Sequence, residues 1–321
     1  MKKISLVIPV YHEEESIPFF FEAVNPIVDS LKEKYEFELI FVTDMPDEGT
    51  YNLLLKKQEE QNNIVVVRLS RSFGHEEAVQ AGLKVSKSDA VIPLDGDLQD
   101  DPNVIPLMIE KWEEGYQVVN GKRSSRQERG LSKLFVTTFY KIFHKWSKKI
   151  NIPENVGDFR LLDRKVVDEI IKLNEKSPVL KIEVPYVGFK TTEVMYERKN
   201  RVGGKTHYKK SALFKNAFDY FTIISDKLLL VVFKIAFVSG LLSFVSFTAE
   251  LVLFILDCCN VLYINETAFL IWLVINIVVL VSALIEGCIF IVGGYAHKAY
   301  LEANNRPSYI IESIKYNNKE K

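Results

Sequence analysis

Four short apolar runs rich in β-branched residues, at positions 4–10, 37–42, 64–69 and 90–94, punctuate the first hundred residues. The stretches between them, 17–31, 51–60 and 76–85, carry apolar residues at helical spacing instead. Strands alternating with helices predict an α/β fold built on a parallel sheet. In an open sheet of that kind ligands gather at the carboxyl ends of the strands. The notable polar residues fall there: Pro9-Val10-Tyr11-His12-Glu13-Glu14 after the first run, Thr43-Asp44 after the second, Ser70-Arg71-Ser72-Phe73-Gly74 after the third and Asp95-Gly96-Asp97 after the fourth. Four strand ends thus converge on one crevice.

Further along, the pattern changes twice. Between 129 and 149, Leu131, Leu134, Phe135, Phe139, Ile142, Phe143 and Trp146 repeat at helical spacing among Lys133, Lys141, Lys145, Lys148 and Lys149. This predicts a basic amphipathic helix, lying either in the headgroup layer or packed on the sheet or a partner subunit. Then come two apolar runs, 228–256 and 268–292, each longer than the roughly 20 residues that span a bilayer core. Their only charges are Lys234, Glu250 and Glu286. Two transmembrane helices are expected. The loop between them, 257–266, has no Lys or Arg, whereas 209–227 and 297–306 are basic, which places both termini in the cytoplasm. The run 4–10 is too short for a signal peptide. The expected organisation is a cytoplasmic catalytic domain over 1–226, a membrane hairpin over 227–295 and a cytoplasmic tail over 296–321. Beyond Ser313 that tail is polar and expected to fray.

Charge and cysteine content narrow the classes. Across 321 residues, 41 Lys and Arg nearly balance 42 Asp and Glu, which argues against a nucleic-acid binder. The three cysteines, Cys258, Cys259 and Cys288, have no metal-ligand spacing and imply no disulfide framework.

The densest chemistry lies in Leu94-Asp95-Gly96-Asp97-Leu98-Gln99-Asp100-Asp101-Pro102. Alternate residues at a strand end point the same way, so Asp95 and Asp97 can converge on one divalent cation, with the Gln99 amide oxygen as a third ligand. A bound cation of that kind suits a diphosphate. The plain alternative for an isolated Asp-x-Asp is an acidic turn, and the four converging strand ends weigh against it.

Together, Ile8-Pro9-Val10-Tyr11 followed by Glu13-Glu14-Glu15, Leu69-Ser70-Arg71 with Phe73-Gly74, Asp95-x-Asp97-Leu98-Gln99-Asp100, and Gly157-Asp158-Phe159-Arg160-Leu161-Leu162-Asp163 resemble the family 2 glycosyltransferases. More narrowly they resemble the polyprenyl-phosphate branch, which includes dolichyl-phosphate mannose synthases and bacterial undecaprenyl-phosphate glucosyltransferases. The likeness runs through nearly the whole chain, including 293–295 and 306–309.

The resemblance implies a GT-A (Rossmann-like) fold that holds a nucleotide sugar. It places Pro9, Tyr11 and Glu13 at the base and ribose, Asp44 on the nucleoside, and Mg²⁺ or Mn²⁺ on Asp95, Asp97 and Gln99. For Tyr11 and Glu13 the alternative is a helix entry with acids near its positive end. Arg71 is either a phosphate contact or a plain surface charge. The branch usually has Asp-Asp-Gly-Ser after the second strand, where this chain has Thr43-Asp44-Met45-Pro46. That departure leaves the identity of the base open. The segment Arg201-Val202-Gly203-Gly204-Lys205-Thr206-His207-Tyr208 is similar to an acceptor-phosphate loop of the branch, with Lys205 and His207 as departures.

The implied reaction moves a hexose-type sugar, with inversion, from a nucleotide donor to polyprenyl phosphate at the cytoplasmic leaflet of the plasma membrane. UDP-glucose is the first expectation, since its users are common in the bacterial branch. A phosphate monoester, with second pKa ~6, is already largely ionised and needs no base. Asp97, Asp158, Arg201 and Lys205 are the candidate catalytic residues. Arg123, Arg126, Arg201 and Lys205 are expected to offset the repulsion between two phosphates, and Asp158 to orient sugar or acceptor. Homo-oligomerisation is left open. Two rival readings are a processive polysaccharide synthase and a non-catalytic nucleotide-sugar-binding scaffold. The first normally carries Gln-x-x-Arg-Trp, and none of Trp112, Trp146 or Trp272 follows an arginine. The second is weakened by the intact Asp95, Asp97 and Gln99.

Overall fold

The computed structural model describes residues 1–44, 47–124, 153–176, 178–199, 238, 241, 245–246, 248–256, 259 and 266–317. The chain divides into two units, Met1–Tyr208 with Arg306–Lys321, and Lys209–Asn305. Met45, Pro46, Arg126, the expected amphipathic helix at 129–149, Arg201, Lys205, Cys258 and most of the first apolar run and of the 257–266 loop lie outside the described residues.

In the first unit, strands β1 (Lys2–Val10), β2 (Tyr35–Thr43), β3 (Ile64–Leu69) and β4 (Ala90–Pro93) alternate with helices α1 (Ile17–Leu31), α2 (Glu48–Glu60) and α3 (His75–Val85). Then follow α4 (Ile105–Glu113), β5 (Val118–Arg123), β6 (Val156–Asp163), α5 (Arg164–Leu173), α6 (Leu180–Val187) and β7 (Thr191–Tyr196), with β8 (Ile311–Lys315) near the end of the chain. The eight strands form one sheet in the order β7-β5-β6-β4-β1-β2-β3-β8. Its centre is parallel as expected: β1 pairs with β2 and β4, and β2 with β3. The whole is nevertheless mixed, because β6 runs antiparallel to β4 and β5, and β8 antiparallel to β3.

Both faces of the central strands are buried, which is why their sequences read as unbroken apolar runs. Ile4, Leu6 and Ile8 of β1 pack with Phe20 of α1, Leu54 of α2 and Met108 of α4. From the other face, Val7 packs with Ala78 and Leu83 of α3, Val166 of α5 and Val184 of α6. Each such side chain contributes roughly 1.5–3 kcal/mol on burial. Gly82 lets α3 approach β1: a Cβ there would stand 2.2 Å from Val7 Cγ1. Asp47 caps α2 by accepting from Thr50 N (3.1 Å), and Asp163 caps α5 by accepting from Lys165 N (3.0 Å).

The expectation of a frayed tail beyond Ser313 is corrected for its first residues, and 318–321 lie outside the described residues. Ile311–Lys315 is strand β8, paired with β3 from Val66↔Lys315 to Leu69↔Ile311. Ile311 and Ile314 stand three positions apart, which plain alternation would send to opposite faces; the register irregularity at Arg68/Leu69 falls between them, and both pack on the core.

In the second unit, α7 (Glu266–Ala303) contains Phe269–Ala296, a stretch long and apolar enough to cross a membrane. It is the one such helix among the described residues, so the second expected span is not established. Residues 248–256 are helical. Phe254 stacks on Phe269 (6.0 Å between centroids), and Asn276 Nδ2 donates to Ser246 Oγ (3.3 Å).

Candidate active site

Register builds the site. Val10 lies opposite Thr43, Thr43 opposite Arg68, and Val7 opposite Pro93, so the carboxyl ends of β1 to β4 open at one edge of the sheet. Antiparallel β6 brings its amino end to that same edge. Continuing the antiparallel register from Val91↔Leu162, four residues forward past the end of β4 and four residues back along β6, brings Asp95 and Asp158 to the same level. His75, at the start of α3, joins them: its Nε2 lies 3.7 Å from Asp95 Oδ1 and 3.9 Å from Asp158 Oδ2. Burial alone would lower the imidazole pKa, but Asp95 and Asp158, with Glu76 and Asp97 behind them, outweigh it and raise it.

Acidic groups crowd Asp95. Burial pushes the Asp95 carboxyl up to about 6; His75 pulls the other way, and Asp100, Asp97 and Asp158 add to the rise. Hard carboxylate oxygens close together are a fitting donor set for Mg²⁺ or Mn²⁺. Among the described residues no three His, Cys, Asp or Glu side chains gather as a metal site. The pair Asp95 and Asp97 would therefore need phosphate oxygens and water to complete a shell, the usual habit of Mg²⁺. Asp97 Oδ1 accepts from Gln99 N (3.1 Å). The Gln99 amide oxygen itself accepts from Arg198, so serving as third ligand would mean sharing or releasing that bond.

The remaining predicted residues fall around this centre in distinct ways. Asp44 is buried and binds the loop after β3: Oδ1 accepts from Phe73 N (2.7 Å), and Oδ2 from Ser72 Oγ (2.8 Å) and Gly74 N (3.1 Å). Gly74 precedes α3 with φ +122°, a conformation open to glycine. Arg71 donates to Ser72 O (2.7 Å) and lies 3.8 Å over the Phe73 ring, the placement of a stacked surface arginine. Pro9 lies opposite Val42, one pair before the end of the β1 ladder, and exposed Tyr11 follows the last pair. Glu13 accepts from the Ser16 hydroxyl at the entry to α1, and its backbone N–H donates to Thr50 Oγ1 (3.1 Å). Asp47 also accepts from His12 N (2.6 Å), where His12 has φ 54°, so the loops after β1 and β2 are tied together. Arg123 Nε donates to Tyr196 Oη (3.1 Å), and its Nη2 lies 3.4 Å from Asp100 Oδ1. The Tyr196 hydroxyl donates to the same Asp100 oxygen. Asp100 thus pairs with the Arg123 guanidinium. Lys199, two positions before Arg201, donates its N–H to Gln99 O (2.9 Å) and pairs through Nζ with Asp101 (3.1 Å).

Sequence reasoning missed a second layer beneath Asp158. Arg160 shares its face of β6, is fully buried, and has Nε and Nη1 without a partner. Burial lowers its pKa, while the charges of Asp158 and Glu76 raise it. Glu76 is pushed up to about 8, chiefly by burial and then by Asp158. Glu183, on α6, is likewise pushed up to about 8 by burial and accepts from Gln80 Nε2 (2.7 Å). His75 and Glu76 directly follow the Phe73-Gly74 motif at a helix start, and that adjacency was the available signal. Nothing local in the sequence marks Asp100, Tyr196 or Glu183.

Residues 5–171 match the model of glycosyl transferase family 2. The chain is 36% identical over 313 residues to YkcC, an uncharacterized glycosyltransferase of Bacillus subtilis (96% of this chain, 93% of the relative). It is 36% identical over 321 residues to a prophage bactoprenol glucosyl transferase homolog of Escherichia coli K12 (98% and 99%). Against the bactoprenol glucosyl transferase of Shigella phage SfX it is 36% identical over 332 residues (98% and 100%). A GT-A crevice with Asp95 and Asp97 at its mouth, and likeness along the whole length, lead to one conclusion: the chain is a glycosyltransferase and belongs to glycosyl transferase family 2, in the branch of the bactoprenol glucosyl transferases.

Proposed function

We propose that the protein transfers glucose from UDP-glucose to the phosphate of a polyprenol of the bactoprenol (undecaprenol) type, with inversion, at the cytoplasmic leaflet of the plasma membrane. The observation that carries this is the placement of Asp158 level with Asp95 across β4 and β6, joined by His75. It gives one mouth in which a diphosphate and a sugar can sit side by side. The phage relative, a bactoprenol glucosyl transferase, supports glucose and bactoprenol as substrates.

In the reaction a lipid phosphate oxygen attacks the sugar C1 as the bond from C1 to the diphosphate oxygen breaks, and the nucleoside diphosphate leaves with the electron pair. No general base is called for, since the monoester, with second pKa ~6, arrives ionised. Mg²⁺ or Mn²⁺ held by Asp95 and Asp97, with Gln99 as the further candidate, would offset the charge that builds on the leaving diphosphate. Asp158 orients the sugar. Tyr11, Pro9 and Glu13 form the base and ribose side, and Asp44 acts there by fixing the Ser72–Gly74 backbone. Arg71 sits on that same loop. Arg123, Arg126, Arg201 and Lys205 are assigned to the two phosphates: Arg123 from its place beside Asp100, Arg201 and Lys205 from their nearness in sequence to Lys199.

We assign the second unit to a two-helix membrane hairpin. The contacts of Phe254 with Phe269 and of Asn276 with Ser246 support it. The test is a donor panel. Membranes holding the protein are incubated with radiolabelled UDP-glucose, UDP-galactose, UDP-N-acetylglucosamine and GDP-mannose, and the lipid is extracted. Label should pass to lipid from UDP-glucose; transfer from another donor alone would overturn the glucose assignment.

A further inference from the structure

The chain returns from α7 to the first unit and adds β8 to the edge of the sheet beside β3. β3 runs directly into Ser70–Gly74, the loop placed at the donor in the proposed function, and the returning segment grips it at several points. Ser70 N donates to Ile310 O (3.0 Å), the first bond of that loop. Arg68, just before it, lies between Glu312 of β8 (2.8 Å) and Glu48 of α2 (2.6 Å). At the far end of β8, Gln58 Nε2 donates to Lys315 O (2.7 Å) and to Ile64 O (2.9 Å). Asn317 Nδ2 donates back to Gln58 O (2.5 Å). Tyr309, Ile311 and Ile314 pack on the same core as α3.

We infer that the C-terminal strand is a positioning element of the donor site: it holds the Ser70–Gly74 loop from the outer side, while Asp44 holds it from the inner side. The loop's bonds divide between those two supports. Asp44 takes Ser72, Phe73 and Gly74. The strand takes Ser70 and, through Leu69 and Arg68, the ladder that leads into it. With β8 removed, β3 becomes an open edge and Ser70 loses the carbonyl that fixes it. The loop would then sample conformations that donor binding must select against, weakening donor affinity by the competent fraction. Arg123, the described member of the proposed lipid subsite, shares none of these contacts. The inference rests on the proposed donor reading, and its test separates the two.

Two experiments on the full-length protein in detergent decide it. In the first, Ile311→Asn with Ile314→Asn unseats the strand, and Ile311→Val with Ile314→Val serves as the conservative control. The Asn pair should raise KM for UDP-glucose about tenfold with KM for undecaprenyl phosphate nearly unchanged, and the Val pair should restore both. In the second, hydrogen exchange is followed in the wild-type protein, so no variant needs to fold. Because coupling is reciprocal, saturating UDP should slow exchange at residues 311–315 as well as at 70–74. Slowing at 70–74 alone, or an Asn pair that raises both KM values equally, would overturn the inference and leave the donor reading intact. A wild-type protein that transfers no glucose from UDP-glucose would sink the functional proposal. Whether UDP also slows exchange at 311–315 would still decide the coupling.

Discussion

Replacing Glu183 by Gln should stabilise the protein at neutral and alkaline pH. Glu183 is 4% exposed, and burial, then Glu175, push its carboxyl up to about 8; Gln80 lowers it and Asp158 raises it. In the unfolded chain a glutamate titrates near pH ~4.3. Between those values the folded state holds a proton that the unfolded state has lost, so stability falls as pH rises. The contribution is intact below about 4.3 and fully lost above about 8. At ~1.4 kcal/mol per pH unit, the whole window is worth roughly 5 kcal/mol, and the part spent by pH 7 roughly 3–4 kcal/mol, as upper bounds. Glutamine is neutral throughout and can still accept from Gln80. The assay is native-state hydrogen exchange at the buried amides of β1 and β4, in wild-type and Glu183→Gln protein, from pH 5 to 8.5. The variant should be more protected at pH 8, and its stability should fall less steeply with pH. A slope remains in the variant, because Glu76 titrates in the same range for the same reason. Equal slopes in the two proteins would refute the account of Glu183.

Three further expectations follow from the site. Asp44→Asn removes charge from a carboxylate that accepts three bonds, and should cost about 1.5–3 kcal/mol and speed exchange at residues 72–74; unchanged exchange there would show that Asp44 does not hold the loop. Arg201→Ala and Lys205→Ala should each raise KM for undecaprenyl phosphate far more than KM for the nucleotide sugar, and equal effects would point to the donor instead. An impermeant maleimide, added to cells with the outer envelope opened, should label Cys258 and Cys259 but not Cys288. Labelling only after lysis would place the 257–266 loop inside and overturn the orientation.

How much of this was legible beforehand depended on burial. Strands β1 to β4 stood out because both faces are covered, so every position of β1 from Ile4 to Val10 is buried. β7 was illegible because its positions before buried Tyr196 alternate between exposed and half-buried, and β8 because only Ile311 and Ile314 face the core. The polar tail was therefore read as frayed, although its pairing partner lies some 250 residues earlier in the chain. Asp95, Asp97 and Asp158 were found from the motifs, but their meeting follows from the antiparallel register of β6, which no local pattern encodes. Arg123 was expected to offset phosphate charge. Its pairing with Asp100 and Tyr196 depends on residues 23 and 73 positions away.

The central claim is transfer of glucose to a lipid phosphate in a crevice headed by Asp95 and Asp97. Its most direct test uses purified full-length protein, radiolabelled UDP-glucose, undecaprenyl phosphate and Mg²⁺, with label counted in the organic phase. Wild-type protein should move label into lipid. Asp97→Ala, folded and still membrane-bound, should move none, because the turn after β4 loses a half-buried carboxylate without losing core. Label transferred by Asp97→Ala at the wild-type rate, or none transferred by wild-type protein, would contradict the account.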